Sequence, residues 1–478
     1  MELPVTLDRT DPRPLHLQLA DQWRAAVVDG RLAANTRLPS SRVLAQVLGV
    51  SRHIVLSAVD ELIIEGYLMA RQGSGVWVSA EACVAPVAET VVRPGRLHRW
   101  QAWPAPSIVS DPPLRPGAID FRLGAPGLER WSEDAWRRVW REVGRSRPPT
   151  YYNHPQGECD LREAVASYLG RARGLRCSAQ QVLITSGSLA SLYLLVHSVV
   201  RPGDRVGMEE PGYWSARQVL MERGTQVLPY LVDEDGLRVD ALPSGQAAPV
   251  LVYCTPSHQY PLGGRLSLPR RQALLRWAEQ EDVLIVEDDY DSEFRYDAAP
   301  LPALASLDQA GTVAYLGTFS KSLSPALRVG YMIGSSELIE RLLDHKRLMD
   351  GPVAWPVQRA LTAWMQGGHL EHHISQMRRA YARKRAILTQ VFGATPSSGR
   401  LIGLEAGLHV VLELPAGCDA APVATACAAR GVVVQTMDPF YMGPAVRQGL
   451  LLGYGALDPA DVERGAHIIA HVIENMGR

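Results

Sequence analysis

Lysine is scarce in this 478-residue sequence: of its 49 lysines and arginines, only three are lysines. Lys346 and Lys384 lie in the charged runs DHKR and ARKR, which are typical of helix surfaces and where an arginine would serve as well. Lys321 instead follows an apolar, strand-like run and lies between two serines. A primary amine can form a Schiff base with an aldehyde, whereas a permanently charged guanidinium cannot. Lys321 therefore indicates covalent amine chemistry, against the simpler interpretation of a lysine in a surface loop.

The sequence also contains no C-x-x-C pair and no long apolar run, and we expect no signal peptide. The six cysteines are scattered without a C-x-x-C pair, which argues against a disulfide framework or a zinc site and fits a reducing compartment. The first residues, MELPVTLDRT, lack the apolar core of a signal peptide. No apolar run approaches the ~18 residues of a membrane span. We therefore predict a cytoplasmic protein with no metal site and no membrane partner.

The sequence has no excess of charge of either sign. Its formal net charge of −1 provides no global attraction to nucleic acid, so any such binding must come from a local pattern. A hydrophobic content of 46% and a charged content of 21% are those of a globular protein. Because single hydrophobic cores stop growing near ~250–300 residues, the length predicts more than one domain.

The first eighty residues carry the outline of a helix-turn-helix. LHLQLADQWRAAVVD has apolar residues at helical spacing and ends at Gly30, a residue type that caps helices. A second helix is predicted to start at residues 39–41, and a third to start at Ser51 after a turn at Gly49. The following YLMARQGSGVWVS predicts two short strands around a Gly-Ser-Gly turn, which would form a wing.

The arginines of this segment are separated from its acids. Residues 1–80 hold eight arginines and eight acids, so the segment is not basic overall. Residues 30–59 contain no acid, yet they contain His53 and four arginines: Arg31, Arg37, Arg42 and Arg52. A recognition helix needs such a face, because acids there would repel the DNA backbone. The pattern favours a DNA reader over a small structural bundle.

Three segments, PLHLQLADQWRAAVVDGRL, TRLPSSRVLAQVLGVSRHIVLSAVDELIIEGYL and RQGSGVWV, resemble the winged helix-turn-helix of the GntR transcription-factor family. The resemblance implies such a domain over residues 11–80, with a double-stranded DNA operator as its partner. It places Arg42 and Arg52 at bases or phosphates, and Ser51 and His53 beside them. It also implies that Gly75 lets the wing approach the minor groove.

Residues 81–117 are predicted to be a linker. The stretch holds seven prolines and no sustained periodicity, which indicates a connector that is extended in places. Trp100 and Trp103 are unusual in a spacer, and they either dock on a domain or are incidental.

From Asp120 onward, apolar strand-like runs alternate with helical stretches. The runs are VLITSG, DRVGMEE, APVLVYCTP, VLIVEDDYD and TVAYLGTFS, and each ends in polar or glycine residues. Buried strands with helices between them predict a parallel sheet with crossover helices, which binds ligands at the carboxyl ends of its strands. The polar clusters of the sequence fall at these ends.

Several strand ends carry groups suited to a phosphorylated pyridine. In VLITSGS a strand runs through glycine into a helix, whose free N–H groups can hold a phosphate. In VLIVEDDYD, Asp288 would end a buried strand and require a cation such as a protonated pyridine nitrogen. Tyr290 is suited to hydrogen-bonding a phenolic oxygen. Tyr213, in EEPGY, is suited to stacking on a flat ring, although it also fits a core tyrosine. Thr318 and Arg328 add phosphate-binding groups near Lys321.

These features occur in the order seen in fold-type I aminotransferases. The chain also resembles these enzymes in four segments: IDFRLGAPGLERWSEDAWRRVWRE, YYNHPQGECDLREAVASYL, TPSHQYPLGGRLSLPRRQALL and EDDYDSEFRY. With its N-terminal segment, the chain resembles the MocR-type regulators, the aminotransferase-like branch of the GntR family. The implied architecture is multidomain: an N-terminal, mainly α-helical winged helix-turn-helix and a C-terminal α/β domain of aminotransferase fold type I. The latter would span residues 118–478, bind pyridoxal 5'-phosphate and form a homodimer, with or without exchange of domains.

The resemblance also implies individual roles. Lys321 would form the internal aldimine with pyridoxal 5'-phosphate, and Asp288 would pair with the pyridine nitrogen. Tyr290 would lie on the phenolate side of the ring, and Tyr213 would stack on it. Tyr152 would reach the phosphate bound by the other subunit. Five residues would hold the phosphate of the same subunit: Gly187, Ser188, Thr318, Ser320 and Arg328.

Two positions depart from the aminotransferase pattern. Where aminotransferases have an Asn-Pro loop at the cofactor, this chain has TPSHQYPLG, and either His258 or Tyr260 takes the place of the asparagine. Many relatives bind a substrate carboxylate with an arginine two residues before Gly453, where this chain has Leu451. Arg447 is close in sequence and is the candidate effector-binding residue. The departure weakens the case for an ordinary α-amino acid as the ligand.

Three functions fit these observations. In the first, a transcription regulator senses a small amine through the aldimine on Lys321; the family suggests an ω-amino acid such as GABA, an amino-sulfonate such as taurine, or pyridoxal phosphate itself. In the second, the chain is a working aminotransferase with a vestigial DNA-binding module. In the third, a core that has lost its cofactor survives as a dimerisation scaffold. The acid-free N-terminal face favours the first, and the intact pair of Asp288 and Lys321 disfavours the third.

Overall fold

The computed structural model describes residues 5–82, 115–296 and 302–476. The chain divides into two compact units, Met1–Ala105 and Pro106–Arg478. Trp100 and Trp103 lie outside the described residues, as does most of the predicted linker. The boundaries near residues 80 and 118 therefore remain predictions.

The described residues of the N-terminal unit form three helices and one β-hairpin, as the sequence predicts. Their bounds are α1 Leu15–Val28, α2 Ser41–Leu48, α3 Arg52–Ile64, β1 Leu68–Arg71 and β2 Gly75–Val78. Both predicted helix starts are confirmed, because the hydroxyls of Ser40 and Ser51 accept hydrogen bonds from backbone N–H groups of the first turns of α2 and α3. Gly49 makes the turn between α2 and α3 with a φ of +62°, which favours glycine.

A small core holds the N-terminal unit together. Trp23 of α1, Leu44 of α2 and Val55 of α3 are buried in it together with Leu68 and Val78 of the hairpin. Leu68 and Val78 are also register partners in the antiparallel wing. Since each element contributes to one core, the turn between α2 and α3 and the wing have defined positions on the same unit.

The C-terminal unit alternates strands and helices. Its helices are α4 Glu133–Arg145, α5 Cys159–Arg173, α6 Ser188–Val199, α7 Trp214–Glu222, α8 Leu268–Glu281, α9 Leu304–Leu307, α10 Ser336–Met349, α11 Trp355–Gln366, α12 His369–Ala394, α13 Ala420–Ala429 and α14 Pro459–Met476. Its strands are β3 Ile119–Asp120, β4 Val182–Thr185, β5 Arg205–Glu210, β6 Gln226–Asp233, β7 Gly236–Leu237, β8 Leu251–Cys254, β9 Leu284–Asp289, β10 Val313–Thr318, β11 Gly330–Ile333, β12 Arg400–Ile402, β13 His409–Glu413, β14 Val432–Val433, β15 Gln435–Thr436 and β16 Gly449–Gly453.

The large sheet has the strand order β4-β11-β10-β9-β8-β5-β6-β7. The predicted parallel arrangement is confirmed for β5, β8, β9 and β10, and β6, which was not among the predicted strands, pairs in parallel with β5. β11 was also not among the predicted strands, and it runs antiparallel to both β10 and β4. The segment between β10 and β11 is short and contains no crossover helix, so the chain returns beside β10 in the opposite direction.

Helices cover both faces of this sheet. On β9, Val286 is buried in a core shared with α6 and α10, whereas the preceding Ile285 is buried in a core shared with α8. Successive side chains of a strand point to opposite faces, so both faces are apolar. Polar groups that belong to a ligand site are consequently displaced to the strand ends.

A smaller antiparallel sheet, β12-β13-β16-β15, completes the unit, and β3 pairs with β14 in parallel. The long helices α12 and α14 pack on these elements through a shared core that includes Phe121, Tyr381 and Leu452. No helix in the described parts of the chain combines the length and the apolar character of a membrane span.

Candidate functional site

A cavity of about 580 Å³ opens at the carboxyl ends of β4, β5, β8, β9 and β10. Nine of the predicted cofactor-binding residues line it: Gly187, Ser188, Tyr213, Asp288, Tyr290, Thr318, Ser320, Lys321 and Arg328. These residues come from five separate segments of the chain. The crossover topology brings them together, because the parallel strands all end at the same edge of the sheet.

Lys321 follows β10 and reaches into this cavity. Its Nζ donates a hydrogen bond to the backbone oxygen of Gly124 at 2.7 Å. Burial lowers the pKa of Lys321, while the carboxylates of Asp291 and Asp288 act in the opposite direction. A lowered pKa leaves more of the amine unprotonated and nucleophilic at neutral pH.

The other two lysines are also buried, and the prediction that they lie on helix surfaces is wrong. Lys346 donates to Asp350 and to the backbone of Gly351. Lys384 donates to Glu129 at 2.6 Å and to the backbone of Gly455. Both ammonium groups lie on inward-facing positions of long helices, where carboxylates and carbonyls offset their desolvation. Neither lysine lines the cavity.

Asp288 is buried at the end of β9. The hydroxyl of Tyr253, on the neighbouring strand β8, donates to Oδ2 of Asp288 at 2.7 Å. Its Oδ1 is buried and has no hydrogen-bond partner among the described residues. Burial raises the pKa of Asp288 to about 7, and the hydrogen bond from Tyr253 opposes that rise. A cation beside Oδ1 would offset the cost of burying this charge.

Another group of residues that line the cavity is suited to an anion. Gly187 precedes α6 with a φ of +124°, and a Cβ atom at this position would lie 3.5 Å from a guanidinium nitrogen of Arg328. The guanidinium of Arg328 forms no ion pair with any described carboxylate. Thr318 donates from its hydroxyl to that of Ser320 at 3.0 Å. A glycine, a helix N-terminus, hydroxyls and an arginine together suit a phosphate.

Three tyrosines form an aromatic wall in the cavity. The ring centroids of Tyr213 and Tyr260 are 5.3 Å apart, and those of Tyr260 and Tyr290 are 5.4 Å apart, both edge to face. Tyr260, which directly precedes Pro261, lines the cavity, whereas His258 does not. Of the two residues that the sequence left open, Tyr260 is therefore the one that lines the cavity.

His258 is buried behind Tyr290. Its Nδ1 lies 2.9 Å from the hydroxyl of Tyr290 and 3.0 Å from each carboxylate oxygen of Asp291. His258 therefore lies next to the cavity through Tyr290 and Asp291, both of which line it.

Besides His258, two predicted residues do not line this cavity. Tyr152 is 99% exposed. Arg447 lines a different cleft and lies 3.8 Å from Glu413, and Leu451 is buried in β16. In the same chain the side chain of Arg447 therefore lies in a different cleft, and its role in effector binding stays a prediction. β16, which follows Arg447 in the chain, belongs to the smaller antiparallel sheet.

Sequence reasoning missed Tyr253 and Gly124. Tyr253 belongs to an apolar strand and has the sequence environment of a core tyrosine; its contact with Asp288 requires β8 and β9 to be neighbours. Gly124 precedes Lys321 by 197 residues and contributes only a backbone oxygen. Every residue has such an oxygen, so the residue type does not indicate this contact.

The five predicted DNA-binding residues lie on the surface of the N-terminal unit. Arg42, Ser51, Arg52, His53 and Gly75 are all exposed. Arg52 donates from Nε to the hydroxyl of Ser41 at 3.0 Å, which links the starts of α2 and α3. Gly75 has a φ of +94° at the tip of the wing, where a side chain would be strained.

Both units match known families. Residues 15–78 match the bacterial regulatory proteins of the gntR family, and residues 125–469 match aminotransferase class I and II. The probable rhizopine catabolism regulatory protein MocR of Rhizobium meliloti is 33% identical over 474 residues, which cover 96% of this chain and 94% of that protein. This chain belongs to the MocR-type branch of the GntR family.

Two further proteins are similar to this MocR-type chain and support its assignment to the family. The pyridoxine biosynthesis transcriptional regulator PdxR of Corynebacterium glutamicum is 34% identical over 457 residues, covering 96% of this chain and 95% of that protein. An archaeal alanine:glyoxylate aminotransferase of known structure has a TM-score of 0.71 and 27% identity, covering 75% of this chain and 91% of that one. The predicted winged helix-turn-helix and aminotransferase fold type I are confirmed.

The family defines what the chain is in outline: a DNA-binding transcription regulator with an aminotransferase-like domain. GntR regulators bind DNA operators, and aminotransferases of class I and II depend on pyridoxal 5'-phosphate. The cavity of this MocR-type chain fits that cofactor. It pairs an unpartnered buried oxygen on Asp288 with an anion-suited end at Gly187 and Arg328.

Proposed function

We propose that this MocR-type regulator binds pyridoxal 5'-phosphate through Lys321 and uses it to sense a small primary amine. The supporting observation is the cavity itself, which gathers an amine, a buried carboxylate, aromatic rings and anion-binding groups at one sheet edge. When bound, the cofactor supplies an aldehyde carbon that condenses reversibly with primary amines. An effector amine therefore competes with Lys321 for the same atom.

The surrounding residues would hold the cofactor in place. Asp288 would receive the proton-bearing ring nitrogen at Oδ1, and Tyr290 would donate to the phenolic oxygen. Tyr213 would pack against the ring. Gly187, Ser188, Thr318, Ser320 and Arg328 would bind the phosphate. The exposure of Tyr152 is compatible with a reach into the cavity of a second subunit, in a homodimer.

Sensing requires that the effector bind two domain arrangements differently. Candidate effectors are ω-amino acids and amino-sulfonates such as GABA and taurine, or pyridoxal phosphate itself. The test is an absorbance titration of the cofactor-loaded protein against a panel of amines, repeated as DNA affinity with and without each amine. We expect at least one amine to change both the spectrum and the affinity. A spectral change with no change in DNA affinity for any amine would contradict the sensing role.

The alternative is a working aminotransferase, which the completeness of the cavity favours. It predicts that amino-group transfer to a keto acid proceeds for many turnovers. Product formation measured with excess amino donor and keto acid separates the two functions, because a sensor needs only reversible condensation.

The DNA-binding face gives a separate prediction. Arg42→Ala and Arg52→Ala are each expected to weaken operator binding. Loss of a phosphate contact reduces the slope of log affinity against log salt by about one. Loss of a base contact costs ~1–3 kcal/mol and relaxes specificity at one position. Arg13→Ala is the matched control, since Arg13 is exposed and pairs with Asp11 before α1. Unchanged binding of both variants would indicate a vestigial module.

A further inference from the structure

His258 has no assigned task in the site described so far, and its partner Asp291 has been described only through its effect on the pKa of Lys321. We propose that His258, held by Asp291, is a positioning residue that keeps the hydrogen of the Tyr290 hydroxyl directed into the cavity, as a donor to an anionic oxygen of the bound cofactor. The inference rests on the proposed function, because it needs a ligand oxygen beside Tyr290.

The geometry confines His258 to this arrangement. Its Nδ1 lies 3.0 Å from both oxygens of Asp291 and 2.9 Å from the oxygen of Tyr290. His258 and Asp291 are 2% and 1% exposed. A Cβ atom at Gly407 would collide with both side chains, so its backbone closes over them. The hydroxyls of Tyr296 and Tyr454 both donate to the backbone oxygen of Gly407 at 2.7 Å and hold it there.

The hydrogen-bond partners indicate which ring nitrogen carries the hydrogen. Nε2 of His258 is buried and has no partner among the described residues. A buried N–H without an acceptor is costly, whereas Nδ1 has a carboxylate as acceptor. The favoured tautomer therefore has its hydrogen on Nδ1, directed to Asp291.

This tautomer decides the orientation of the Tyr290 hydroxyl. With a hydrogen on Nδ1, the ring has no lone pair there to accept from Tyr290. The hydroxyl hydrogen must then point elsewhere, and Tyr290 lines the cavity. The hydroxyl oxygen of Tyr290 can accept the Nδ1–H of His258 as a second acceptor beside Asp291. This contact holds the tyrosine oxygen in position and leaves the hydroxyl hydrogen of Tyr290 free for the ligand.

The other titratable groups near the pair do not compete with Asp291 as acceptors for the Nδ1–H of His258. The ring of His409 lies 5.3 Å from that of His258, and its Nε2 is 3.0 Å from the backbone oxygen of Pro261. Burial, and then the proximity of His258, lowers the pKa of His409 to about 4, so it remains uncharged near neutrality. Lys321 and Asp288 line the cavity together with Tyr290 and Asp291.

The test compares two amide substitutions in the full-length, cofactor-loaded protein. His258→Asn places a side-chain amide where Nδ1 is, and His258→Gln places the same group nearer the position of Nε2. The readout is the pH midpoint between the two absorbing forms of the bound cofactor. Removing a donor from the phenolic oxygen makes the conjugated cofactor more basic, so Tyr290→Phe and His258→Gln should each raise the midpoint by about one pH unit. His258→Asn should stay close to wild type.

A double variant shows whether His258 acts through Tyr290. Adding His258→Gln to Tyr290→Phe should move the midpoint no further. An unchanged midpoint in His258→Gln, or a shift that adds to that of Tyr290→Phe, would overturn the inference. Cofactor content is measured first; a wild-type protein that takes up no cofactor refutes the proposed function and the inference together, whereas normal uptake with an unchanged midpoint refutes the inference alone.

A second measurement needs no destabilised variant. Long-range proton–nitrogen correlation spectra of the wild-type protein, with the His258 signal assigned from its loss in His258→Asn, report the tautomer directly. A hydrogen on Nδ1 supports the inference. A hydrogen on Nε2 overturns it, because the Tyr290 hydroxyl would then donate to Nδ1 and be unavailable to the cofactor.

Discussion

Replacement of Lys321 by alanine is expected to abolish covalent attachment of pyridoxal 5'-phosphate completely. The remaining lysines, Lys346 and Lys384, lie outside the cavity and are occupied by carboxylate and carbonyl acceptors. No other primary amine of the described cavity can replace the Nζ of Lys321. The measurement is borohydride reduction of the loaded protein followed by peptide mapping of the labelled residue.

Lys321→Arg is the matched control for this experiment. It keeps a positive charge near Asp288 and Asp291 but cannot form a Schiff base. We expect the arginine variant to retain some non-covalent cofactor binding and to lose the reducible label. A label that persists in Lys321→Ala would show that another lysine carries the cofactor. The assignment of Lys321 would then be wrong.

Replacement of Asp288 by alanine is expected to lower cofactor affinity roughly 100-fold, the equivalent of ~3 kcal/mol for breaking a buried ion pair. The effector response should be lost with it, because an uncharged ring nitrogen makes the cofactor a poorer electrophile. DNA affinity without effector should stay near wild type, since the winged helix belongs to the other compact unit. The measurements are cofactor titration, and operator affinity with and without amine.

The two possible deviations have different meanings. Loss of basal DNA binding together with the effector response would mean that the cofactor is structural. A full effector response in Asp288→Ala would contradict the sensing mechanism.

Asp288→Asn adds a stability measurement on the cofactor-free protein. The folded-state pKa of Asp288 is raised to about 7 from 3.8, mainly by burial. Ionisation is thus harder in the folded state, and the carboxyl group costs stability progressively as pH rises from about 4 to 7. The neutral amide should therefore stabilise the cofactor-free protein above pH 7, by up to about 4 kcal/mol, and have little effect below pH 4. Denaturant unfolding of the wild type and of Asp288→Asn at pH 4 and pH 8 measures the two differences in stability. Equal differences at the two pH values would contradict this prediction.

Much of the cavity could be predicted because its residues stand where strands end. Asp288 and Lys321 lie at the ends of apolar runs that indicate buried strands. In a parallel sheet these strand ends meet at one edge, so the two residues were expected to lie at the same edge. The location of Arg447 could not be predicted, for the converse reason. Its sequence distance from Gly453 suggests the cavity, but β15, β16 and the loop between them direct it to another cleft.

The two buried helical lysines show a related limit. DHKR and ARKR have the composition of a solvated surface, and only the packing of α10 and α12 shows that Lys346 and Lys384 face inward. Helical spacing indicates a face, but the partners that make a buried charge tolerable come from distant parts of the chain. Glu129 precedes Lys384 by 255 residues.

The sequence by itself determined the two-part organisation, the winged helix-turn-helix, the aminotransferase-like domain and the residues most directly suited to a cofactor. These depend on local information: periodicity, caps, strand ends and residue chemistry. The tertiary structure alone decided that Tyr260 lines the cavity and His258 lies behind it, that Tyr253 supports Asp288, and that Gly407 closes over His258 and Asp291. Such contacts join residues that are remote in sequence, and their geometry is set by which strands are neighbours and how closely backbones approach.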